Sequence, residues 1–526
     1  MTVRGAAAVG AGLAAARAAE PIRRGERIHV VGAAGAGASA AALLASWAGA
    51  VVDGCDPGGP SQYTPALAAE GIHIADHHDP AHVAGATRPA RLAVTKALTA
   101  IDPDNPELQA AREAHVPLEP WQQVVADAAA GRLLIAVAGT HGKSTTAGWL
   151  VNALAVAGTD PGAFVGALLP ASLTGIGVAA TARKGAGRPF VVEADEYAGN
   201  FDPYRPDVIV LTSAEWDHPD VFADEAAVLD AFEAWIRRAR AHDERAELPT
   251  LVANIGDRGV AKLVRRLGDW TGHVVLTAVA AEDGTTALPW DRWSVREAWQ
   301  DDLLSVSVIL ARIIDAAPDS TLVEVLGIDD EPRRIRLPTA GRHNVSNALG
   351  VLGAAMAVDG ADVDGVIGGV ESFAGVGRRL ERKGEARGVV VYDDYGHHPT
   401  AIRETLAAVR QREPGRRAWA VYEPLTYHRT AALLDDFAEV LAAADAVAIA
   451  DIWAGRDPDT TIASAAGLAE AVARRNPRIP AVAPGTVEET ARWLAGEVRS
   501  GDVVLVMGGG RSYRIGELLL EHLEAG

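Results

Sequence analysis

Short hydrophobic runs recur along the chain, and most of them end in glycine or polar residues. The clearest run, LLIAVA at residues 133–138, passes through a glycine-bounded turn into a segment with the apolar spacing of a helix. A similar run lies at residues 27–31, and others follow residue 388 as VVVY, WAVY, AVAIA and VVLVM. This alternation of strand-like and helix-like segments predicts an α/β protein whose parallel sheets are covered by helices.

Three such segments follow one another, which agrees with a length of 526 residues, too long for one core. We predict a mobile extension or short helix at 1–26, followed by three domains at 27–130, 131–338 and 339–526. The stretch 269–336 alternates in a way more typical of antiparallel strands. The N-terminal extension is not predicted to be a signal peptide, because Arg17 interrupts its apolar part.

Composition narrows the class of protein. The chain has 49 basic and 69 acidic residues and a net charge of −20, which argues against nucleic-acid binding. Its one cysteine, Cys55, excludes an intramolecular disulfide framework and cysteine-rich zinc knuckles, and is typical of a reducing, cytoplasmic compartment. No run of about eighteen strongly apolar residues occurs, so we expect no membrane span.

The turn after LLIAVA has the chemistry of a phosphate-binding loop. Its sequence GTHGKST offers backbone N–H groups at a helix N-terminus, a lysine and two hydroxyls. It is shorter than the common GxxxxGK[ST] loop, since Val137 stands where the first glycine would be. An ordinary strand-to-helix turn is the alternative. The pattern predicts ATP or GTP binding by Gly139, Thr140, His141, Gly142, Lys143, Ser144 and Thr145.

Acidic and imidazole groups end the next two strand-like runs. Glu193 and Glu196 stand in VVEADEY, and Asp217 and His218 stand in LTSAEWDHPD. Because ligands bind at the carboxyl ends of parallel strands, these groups can lie beside the phosphate loop. A carboxylate and an imidazole could then each bind one Mg²⁺. Solvated acids at a sheet edge are the alternative.

Three further motifs could contact the nucleotide. GRHNVSNA opens a helix with amide side chains three residues apart, which suit a base or ribose if they do not merely cap the helix. An arginine pair in GVGRRLE could stabilise charge on a transferring phosphoryl group. The strand-end cluster DDYGHHP could hold ribose hydroxyls. The residues concerned are His343, Asn344, Asn347, Arg378, Arg379, Asp393, Asp394, Tyr395, His397 and His398.

The N-terminal run GAAGAGAS is a weaker motif. Its glycines, followed by aspartates about twenty residues later, fit either a dinucleotide or a nucleotide-sugar diphosphate. The positions are Gly32, Gly35, Gly37, Asp53 and Asp56. We expect His73 and residues 77–79 to lie in loops.

In this order, GTHGKSTT, EADEY, AEWDH, GRHNVSNA, GRRLE and DDYGHHPTAI resemble the Mur ligase family, which builds the peptidoglycan precursor. The motifs span residues 139–402, and weaker similarity reaches from residue 29 almost to the C-terminus. The resemblance implies a Rossmann-like UDP-sugar-binding domain, a central P-loop ATPase-type α/β domain and a C-terminal Rossmann-like ligase domain. It is strongest to members that join L-alanine to UDP-N-acetylmuramate with ATP and Mg²⁺, through HVVGAAGAGAS, NPELQAAREAHVPL, YEPLTYHRT and DIWAGRDPD. It is compatible with a homodimer.

The resemblance also implies roles for individual residues. Lys143 would contact the β- and γ-phosphates, Ser144 and Glu193 would bind one Mg²⁺, and His218 would bind a second. The adenine side would be lined by His343, Asn344 and Asn347. Phosphate and ribose would be reached by Arg378 and Asp394. The amino acid would be approached by Tyr395, His397 and Arg429. The UDP-sugar would be bound by Gly32, Gly35, Gly37, Ser39, Asp56 and His73. The catalytic set would be Lys143, Glu193, His218, Arg378 and His397.

Some positions depart from the family pattern. Leu425 stands where the alanine-adding members usually have a histidine, and the sugar-domain turn reads KALTAI at residues 96–101. No lysine lies between Lys184 and Lys262, so we predict no carbamylated lysine on magnesium.

Three alternatives stay open from the sequence. The chain could be a recycling ligase that adds a tripeptide to the same sugar nucleotide. It could be a nucleotide-binding homologue that has lost ligation. It could also be an NAD-dependent oxidoreductase, which rests on GAAGAGAS alone. The base that accepts a proton from the amine could be His218, His397 or solvent.

Overall fold

The computed structural model describes residues 9–85, 88–239, 248–280, 305–455, 457 and 459–525. Within these ranges the strands form three sheets of five, ten and six strands, each packed against helices. The predicted α/β class with three domains is confirmed. Within the same ranges, no helix combines the length and apolar character needed to cross a membrane.

The N-terminal sheet is entirely parallel and has the strand order β3-β2-β1-β4-β5. Its elements are β1 (Arg27–Val31), α1 (Ala36–Trp47), β2 (Val51–Cys55), α2 (Thr64–Ala69), β3 (Ile74–Ala75), β4 (Arg91–Val94), α3 (Lys96–Ile101), α4 (Pro106–Glu113), β5 (Leu118–Pro120) and α5 (Trp121–Ala128). The glycine turn after β1 is short, because α1 already begins at Ala36. Gly37 lies in the helix, where a Cβ would be 2.1 Å from the Trp121 ring.

Residues 9–26 lie against this sheet. The Ala14 N–H donates to the Leu118 carbonyl at 2.7 Å, which adds a backbone bond next to β5. The guanidinium of Arg17 bonds to Glu119 at 2.9 Å and to Asp127 at 2.7 Å. These contacts hold the described part of the extension on the domain, and its mobility stays a prediction.

The central sheet has the order β15-β14-β13-β12-β11-β10-β6-β9-β7-β8. Its elements are β6 (Leu133–Ala138), α6 (Lys143–Val156), β7 (Gly162–Leu169), β8 (Ala180–Arg183), β9 (Pro189–Ala194), β10 (Val208–Leu211), α7 (Glu225–Ile236), β11 (Thr250–Asn254), α8 (Arg258–Arg266), β12 (His273–Val279), β13 (Ser305–Ala316), β14 (Thr321–Leu326) and β15 (Arg333–Leu337).

The expectation of antiparallel strands over 269–336 is only half right. Strands β13, β14 and β15 do pair antiparallel, but β12 is parallel to both of its neighbours. The reason is burial: most of β12 is enclosed, and its sequence HVVLTAV is a nearly continuous apolar run, which is typical of parallel strands.

Two helices follow the central sheet: α9 (Arg342–Met356) and α10 (Val363–Glu371). They pack into the core of the central domain and not into that of the C-terminal domain. Backbones of α6 and α10 approach closely, since a Cβ on Gly369 would be 2.5 Å from the Ala153 Cα. This packing favours a domain boundary after α10 instead of the one predicted at residue 338.

The C-terminal sheet has the order β16-β17-β21-β18-β19-β20, and only its edge strand β16 is antiparallel. Its elements are β16 (Glu381–Ala386), β17 (Val389–Asp394), α11 (Pro399–Arg412), β18 (Arg417–Glu423), α12 (Tyr427–Ala432), α13 (Leu434–Leu441), β19 (Ala446–Ala450), α14 (Ala465–Arg475), β20 (Ala481–Gly485), α15 (Val487–Glu497), β21 (Asp502–Gly508) and α16 (Tyr513–Ala525). Its parallel strands β17, β18, β19 and β21 are almost wholly buried, so charged residues can appear only at their ends.

Candidate active site

A cleft of about 1310 Å³ lies where the three domains meet. Most of the residues predicted to bind nucleotide, metal and amino acid line it: Thr140, His141, Gly142, Lys143, Ser144, Thr145, Glu193, His218, His343, Asn344, Asn347, Arg378, Asp394, Tyr395 and His397. From the predicted sugar site only Gly37 lines it. The cleft brings together strand ends from separate parts of the chain.

The phosphate loop connects β6 to α6, and its two glycines are required by geometry. Gly139 and Gly142 have φ values of +136° and +79°, which side chains rarely adopt. A Cβ on Gly139 would be 2.3 Å from the Thr212 Oγ1, and one on Gly142 would be 2.6 Å from the Asn347 Oδ1. The loop can therefore bend tightly and direct the N-terminus of α6 into the cleft, as an anion site requires.

Lys143, the first residue of α6, extends across the loop. Its Nζ donates to the Gly139 carbonyl at 2.6 Å and to the Glu196 Oε2 at 3.0 Å, and lies 3.7 Å from Asp195. Burial opposes the charged ammonium, but the carboxylates of Glu196, Asp195 and Glu193 outweigh it and raise the pKa of Lys143. The lysine is thus a fixed positive charge beside the anion site.

Ser144 and Glu193 form the first candidate metal site. The Ser144 hydroxyl donates to the Glu193 Oε1 at 3.0 Å, and the Gly166 N–H donates to the Oε2 at 2.6 Å. Gly166 has to lack a side chain, because its Cβ would be 2.9 Å from that carboxylate. A hydroxyl and a carboxylate side by side are the oxygen ligands that Mg²⁺ prefers.

A second group of potential ligands lies on the other side of Lys143. One donor atom each from Asp195, Glu196 and His218 lie within 4.8 Å of one another. The His218 Nε2 is 4.0 Å from the Glu196 Oε1. Sequence reasoning named Glu196 among the strand-end acids and assigned His218 as a ligand. It missed Asp195, which stands between Glu193 and Glu196 in EADEY.

A buried ion pair joins the central and C-terminal domains. The Arg429 guanidinium contacts the Asp217 Oδ1 at 2.8 Å and the His218 Nδ1 at 3.0 Å. Burial opposes ionisation of Asp217, but His218 and Arg429 outweigh it and hold the pKa of Asp217 well below its usual range. Arg429 was expected to approach the amino acid; in this structure its side chain is buried against the central domain.

The two arginines of GRRLE differ from the prediction in the groups that they contact. Arg378, which has a φ of +57°, turns into the C-terminal domain and bonds to Asp393 at 3.1 Å and to the Gly508 carbonyl at 2.8 Å. Its neighbour Arg379 donates to the Ser144 hydroxyl at 2.9 Å. The geometry thus brings Arg379 to the phosphate loop, and a phosphate contact by Arg378 stays a prediction.

The amide pair of α9 lies beside the loop. The Asn347 side chain donates to the Asn344 Oδ1 at 3.2 Å, and the Asn344 side chain donates to the Ala340 carbonyl at 2.8 Å. The His343 Nδ1 is 3.6 Å from the Glu404 Oε2. All three predicted adenine-side residues line the cleft, although the two asparagines also order the start of the helix.

At the end of β17, both carboxylate oxygens of Asp394 accept backbone N–H groups, from Leu380 at 2.8 Å and from Gly396 at 2.7 Å. The His397 Nδ1 lies 2.9 Å from the Tyr395 carbonyl. Burial, together with the positive charge of Arg429, lowers the pKa of His397 well below its usual value. His397 is therefore a neutral imidazole that can accept a proton.

The predicted sugar site is only partly assembled at the cleft. The Asp56 Oδ2 accepts the Ala34 N–H of the glycine turn at 2.9 Å. Ser39 is 1% exposed, and its hydroxyl donates to the Ala36 carbonyl and lies 3.2 Å from the Thr181 Oγ1. His73 lies in an exposed loop outside the cleft lining. Ser39 thus packs the domain interface, and a sugar contact by His73 stays a prediction.

The folded protein should lose stability on acidification because of His398. Burial, with the nearby His141, lowers the pKa of His398 from 6.5 to about 4. Above pH 6.5 the residue is neutral in the folded and unfolded chain. Between about pH 6.5 and 4 the unfolded chain takes up the proton first, so stability falls by up to about 1.4 kcal/mol per pH unit.

We expect the urea midpoint of the wild type to fall between about pH 7.5 and 5. In His398→Asn, which keeps a side chain able to cap α11, the fall should be smaller. The control is His522→Asn, an exposed histidine on the last helix. An equal pH dependence in wild type and His398→Asn would contradict a buried neutral His398.

Family profiles match almost the whole chain in order. Residues 27–132 match "Mur ligase family, catalytic domain", residues 137–355 match "Mur ligase middle domain", and residues 378–510 match "Mur ligase, glutamate ligase domain". The chain belongs to the Mur ligase family, as the motifs predicted.

Two similar proteins within this family carry the same name. The chain is 34% identical to the UDP-N-acetylmuramate–L-alanine ligase of Frankia casuarinae, over 95% of this chain and 98% of that one. It is 36% identical to the ligase of the same name from Kineococcus radiotolerans, over 96% and 98% of the two chains.

Solved structures with the same fold include the UDP-N-acetylmuramate-alanine ligase of Thermotoga maritima. It matches with a TM-score of 0.71 and 23% identity, over 95% of this chain and 99% of that one. The murein peptide ligase of Psychrobacter arcticus matches with a TM-score of 0.66 and 24% identity, over 95% and 99%. At these identities the similarity shows the fold alone.

Proposed function

We propose that the protein is an ATP-dependent ligase that joins L-alanine to UDP-N-acetylmuramate in peptidoglycan precursor synthesis. The observation that carries the proposal is the convergence of Lys143, the Ser144–Glu193 pair and the Asp195, Glu196 and His218 group on one phosphate loop. The relatives named UDP-N-acetylmuramate–L-alanine ligase, similar over nearly their full length, support the choice of substrates.

The chemistry that this site supports is carboxylate activation. A carboxylate oxygen of the sugar nucleotide attacks the γ-phosphorus of ATP, the bond to the bridging oxygen breaks, and ADP leaves. The amine nitrogen then attacks the acyl carbon, phosphate leaves, and the nitrogen gives up a proton. Lys143 offsets negative charge in the first step, because its ammonium is fixed beside the loop.

The donor set fits magnesium. Ser144 and Glu193 would hold one ion, and His218 with Asp195 and Glu196 would hold a second. When bound, such ions offset charge on the phosphate oxygens. The carboxylates are already positioned by protein groups, since Glu193 accepts the Gly166 N–H and Glu196 accepts the Lys143 ammonium.

His397 is the base that the contacts favour. Its Nδ1 faces the Tyr395 carbonyl, so the proton stays on that nitrogen and the Nε2 is free to accept another, 4.0 Å from Asp217. The alternative base His218 accepts an Arg429 N–H at its Nδ1, so its own proton lies on the Nε2, which faces Glu196 at 4.0 Å and cannot accept another. Burial lowers the pKa of His397, so the imidazole is unprotonated; the same shift makes it a weaker base than an exposed histidine.

A small group of apolar residues lines one part of the cleft. Leu425, Trp453 and Gly509 line it together, and a Cβ on Gly509 would be 2.9 Å from Leu425. We infer that this apolar group receives the methyl group of alanine, because the three residues offer no side-chain partner for the carboxylates of a tripeptide. The leucine at the usual histidine position is therefore compatible with alanine.

Release of ADP tests the proposal directly. With ATP, Mg²⁺ and UDP-N-acetylmuramate, ADP should form rapidly when L-alanine is added and slowly when L-Ala-γ-D-Glu-diaminopimelate is added. The reverse preference would identify the recycling ligase. ATP binding with no stimulated ADP release would identify a homologue that has lost ligation, and nicotinamide binding would favour the oxidoreductase.

Glu193→Gln should raise the Mg²⁺ concentration needed for half-maximal ADP release at least about tenfold, because a neutral amide is a weaker ligand for a hard cation. Glu233→Gln, a partly buried surface glutamate that pairs with Arg237, is the matched control. Mg²⁺ titration of initial rates separates a lost metal ligand from a folding defect. An unchanged titration curve in Glu193→Gln would remove Glu193 from the metal site.

ATP as a substrate and a single reduced cysteine support a cytoplasmic location. No observation bears on a homodimer, which stays a prediction.

A further inference from the structure

A second cluster of reactive side chains lies in the N-terminal domain, away from the cleft. It contains His29 on β1, Cys55 at the end of β2, His82 in the turn Pro80–Val83, and Glu107 on α4. His29, Cys55 and Glu107 are 3%, 0% and 0% exposed. None of the four residues belongs to the phosphate loop or lines the cleft, so the ligase reaction leaves them unexplained.

The donor atoms lie close enough together to converge on one metal ion. The Glu107 carboxylate lies 2.8 Å from the His29 Nε2, and the Cys55 Sγ is 3.4 Å from the same nitrogen. Glu107 is also 3.2 Å from Cys55 and 3.2 Å from the His82 Nδ1. Ligands of one tetrahedral zinc ion, bound at 2.0–2.3 Å, stand about 3.3–3.8 Å apart. One donor atom from each of the four residues already lies within 4.8 Å of every other.

The hydrogen-bonding capacity of the thiol also favours an ion. Cys55 has three polar neighbours at contact distance: His29, Glu107, and His78 with its Nδ1 at 3.2 Å. A thiol has one proton and is a weak donor and acceptor, so it serves three buried polar partners poorly. A metal ion would satisfy the sulfur, the carboxylate and the imidazoles together.

The surroundings of His29 match those of a metal-bound histidine. Its other nitrogen, Nδ1, lies 2.7 Å from the Asp53 Oδ1. Histidines on metals usually donate their second ring N–H to a carboxylate, which directs the remaining nitrogen to the ion. Asp53 thus orients the His29 Nε2 toward the cysteine and the glutamate.

We propose that His29, Cys55, His82 and Glu107 bind one structural zinc ion in the N-terminal domain. Two imidazoles, a thiolate and a carboxylate select zinc over magnesium or calcium, which prefer oxygen ligands alone. The site is independent of the proposed ligase reaction.

The ion would connect four elements that are separate from one another in the sequence. Cys55 lies directly beneath the glycine turn, since its carbonyl accepts the N–H groups of Gly32 and Ala33 at 2.9 and 3.2 Å. Fixing Cys55 would therefore fix the turn that resembles a nucleotide-sugar site. We expect zinc to raise the melting temperature of the intact protein, because an ion that binds only the folded chain stabilises it.

Metal content tests the proposal. The full-length chain, equilibrated with zinc in excess Mg²⁺ and then desalted, should retain one zinc per chain. With Co²⁺ instead, the protein should show a thiolate-to-cobalt charge-transfer absorption and the intense visible bands of a tetrahedral ion. The oxygen and imidazole ligands of the cleft cannot produce the thiolate band, so this spectrum assigns the site.

Cys55→Ser should abolish the charge-transfer band and weaken zinc binding at least about tenfold, and His82→Asn should weaken it similarly. His77→Ala, an exposed histidine in the same loop, should bind zinc like the wild type. Should Cys55→Ser fail to fold, the wild-type cobalt spectrum and His82→Asn still decide. Wild-type protein that retains no zinc, or a folded Cys55→Ser protein that binds zinc as tightly as the wild type, would overturn the proposal.

Discussion

Lys143→Ala should lower the rate of substrate-dependent ADP release by about a thousandfold or more. The ammonium is the positive charge that the phosphate loop holds within reach of a transferring phosphoryl group, and removal of one such preorganised group costs about a hundredfold to a thousandfold. The variant also leaves Glu196 buried at 3% exposure without its partner.

Lys262→Ala is the matched control, because this exposed lysine of the same domain pairs only with Glu225 at the surface in the described structure. It should keep the wild-type rate. Far-ultraviolet circular dichroism and melting temperature establish that Lys143→Ala is folded. A folded Lys143→Ala protein with a rate within about threefold of the wild type would mean that the loop is not the site of phosphoryl transfer.

Arg429→Ala should reduce kcat by about a hundredfold, because it should weaken the contact between the central and C-terminal domains. The arginine pairs across the domain interface with Asp217, and both side chains are 4% exposed. Removal of one partner of a buried ion pair costs about 3–5 kcal/mol, because the other charge stays desolvated. The arrangement of domains in this structure carries this cost, and a state with the two domains apart does not, so we expect the variant to separate the central and C-terminal domains more often.

Small-angle scattering should therefore give a larger radius of gyration for Arg429→Ala than for the wild type in the presence of nucleotide. Arg410→Ala, which removes an exposed pair with Asp445 inside the C-terminal domain, should leave both the radius and kcat unchanged. If Arg429→Ala lowered kcat while its radius equalled that of the wild type, the arginine would act on the substrate and not on closure.

Local sequence patterns predicted the elements and groups that depend on neighbours along the chain. A buried run followed by Gly-x-x-Gly-Lys determines β6, the tight turn and α6. The turn itself requires the positive φ values at Gly139 and Gly142, whatever the rest of the chain does. Acids at the end of a buried strand must lie at the sheet edge, so Glu193 and His218 could be expected near the loop.

Contacts between distant parts of the chain could not be predicted in the same way. Whether Arg378 or Arg379 reaches Ser144 depends on the backbone twist at Arg378, whose side chain is held by Asp393 and Gly508. That backbone twist is not encoded in the spacing of apolar residues.

The cluster of His29, Cys55, His82 and Glu107 could not be predicted from local sequence patterns either. Its four members come from β1, β2, a loop and α4, and no short motif links them. The sequence excluded cysteine-rich zinc motifs because it has one cysteine, but that count says nothing about a mixed donor set assembled by folding. His82 and Glu107 became candidates only through their distances to His29 and Cys55.

Transfer of oxygen from substrate to phosphate tests the central claim, that this cleft activates a carboxylate with ATP. UDP-N-acetylmuramate carrying heavy oxygen in its carboxylate would be incubated with ATP, Mg²⁺ and L-alanine, and the released phosphate analysed by mass spectrometry. We expect one labelled oxygen in each phosphate, because the attacking carboxylate oxygen leaves with the phosphoryl group. Phosphate without label, formed alongside ADP, would show that water and not the carboxylate attacks ATP.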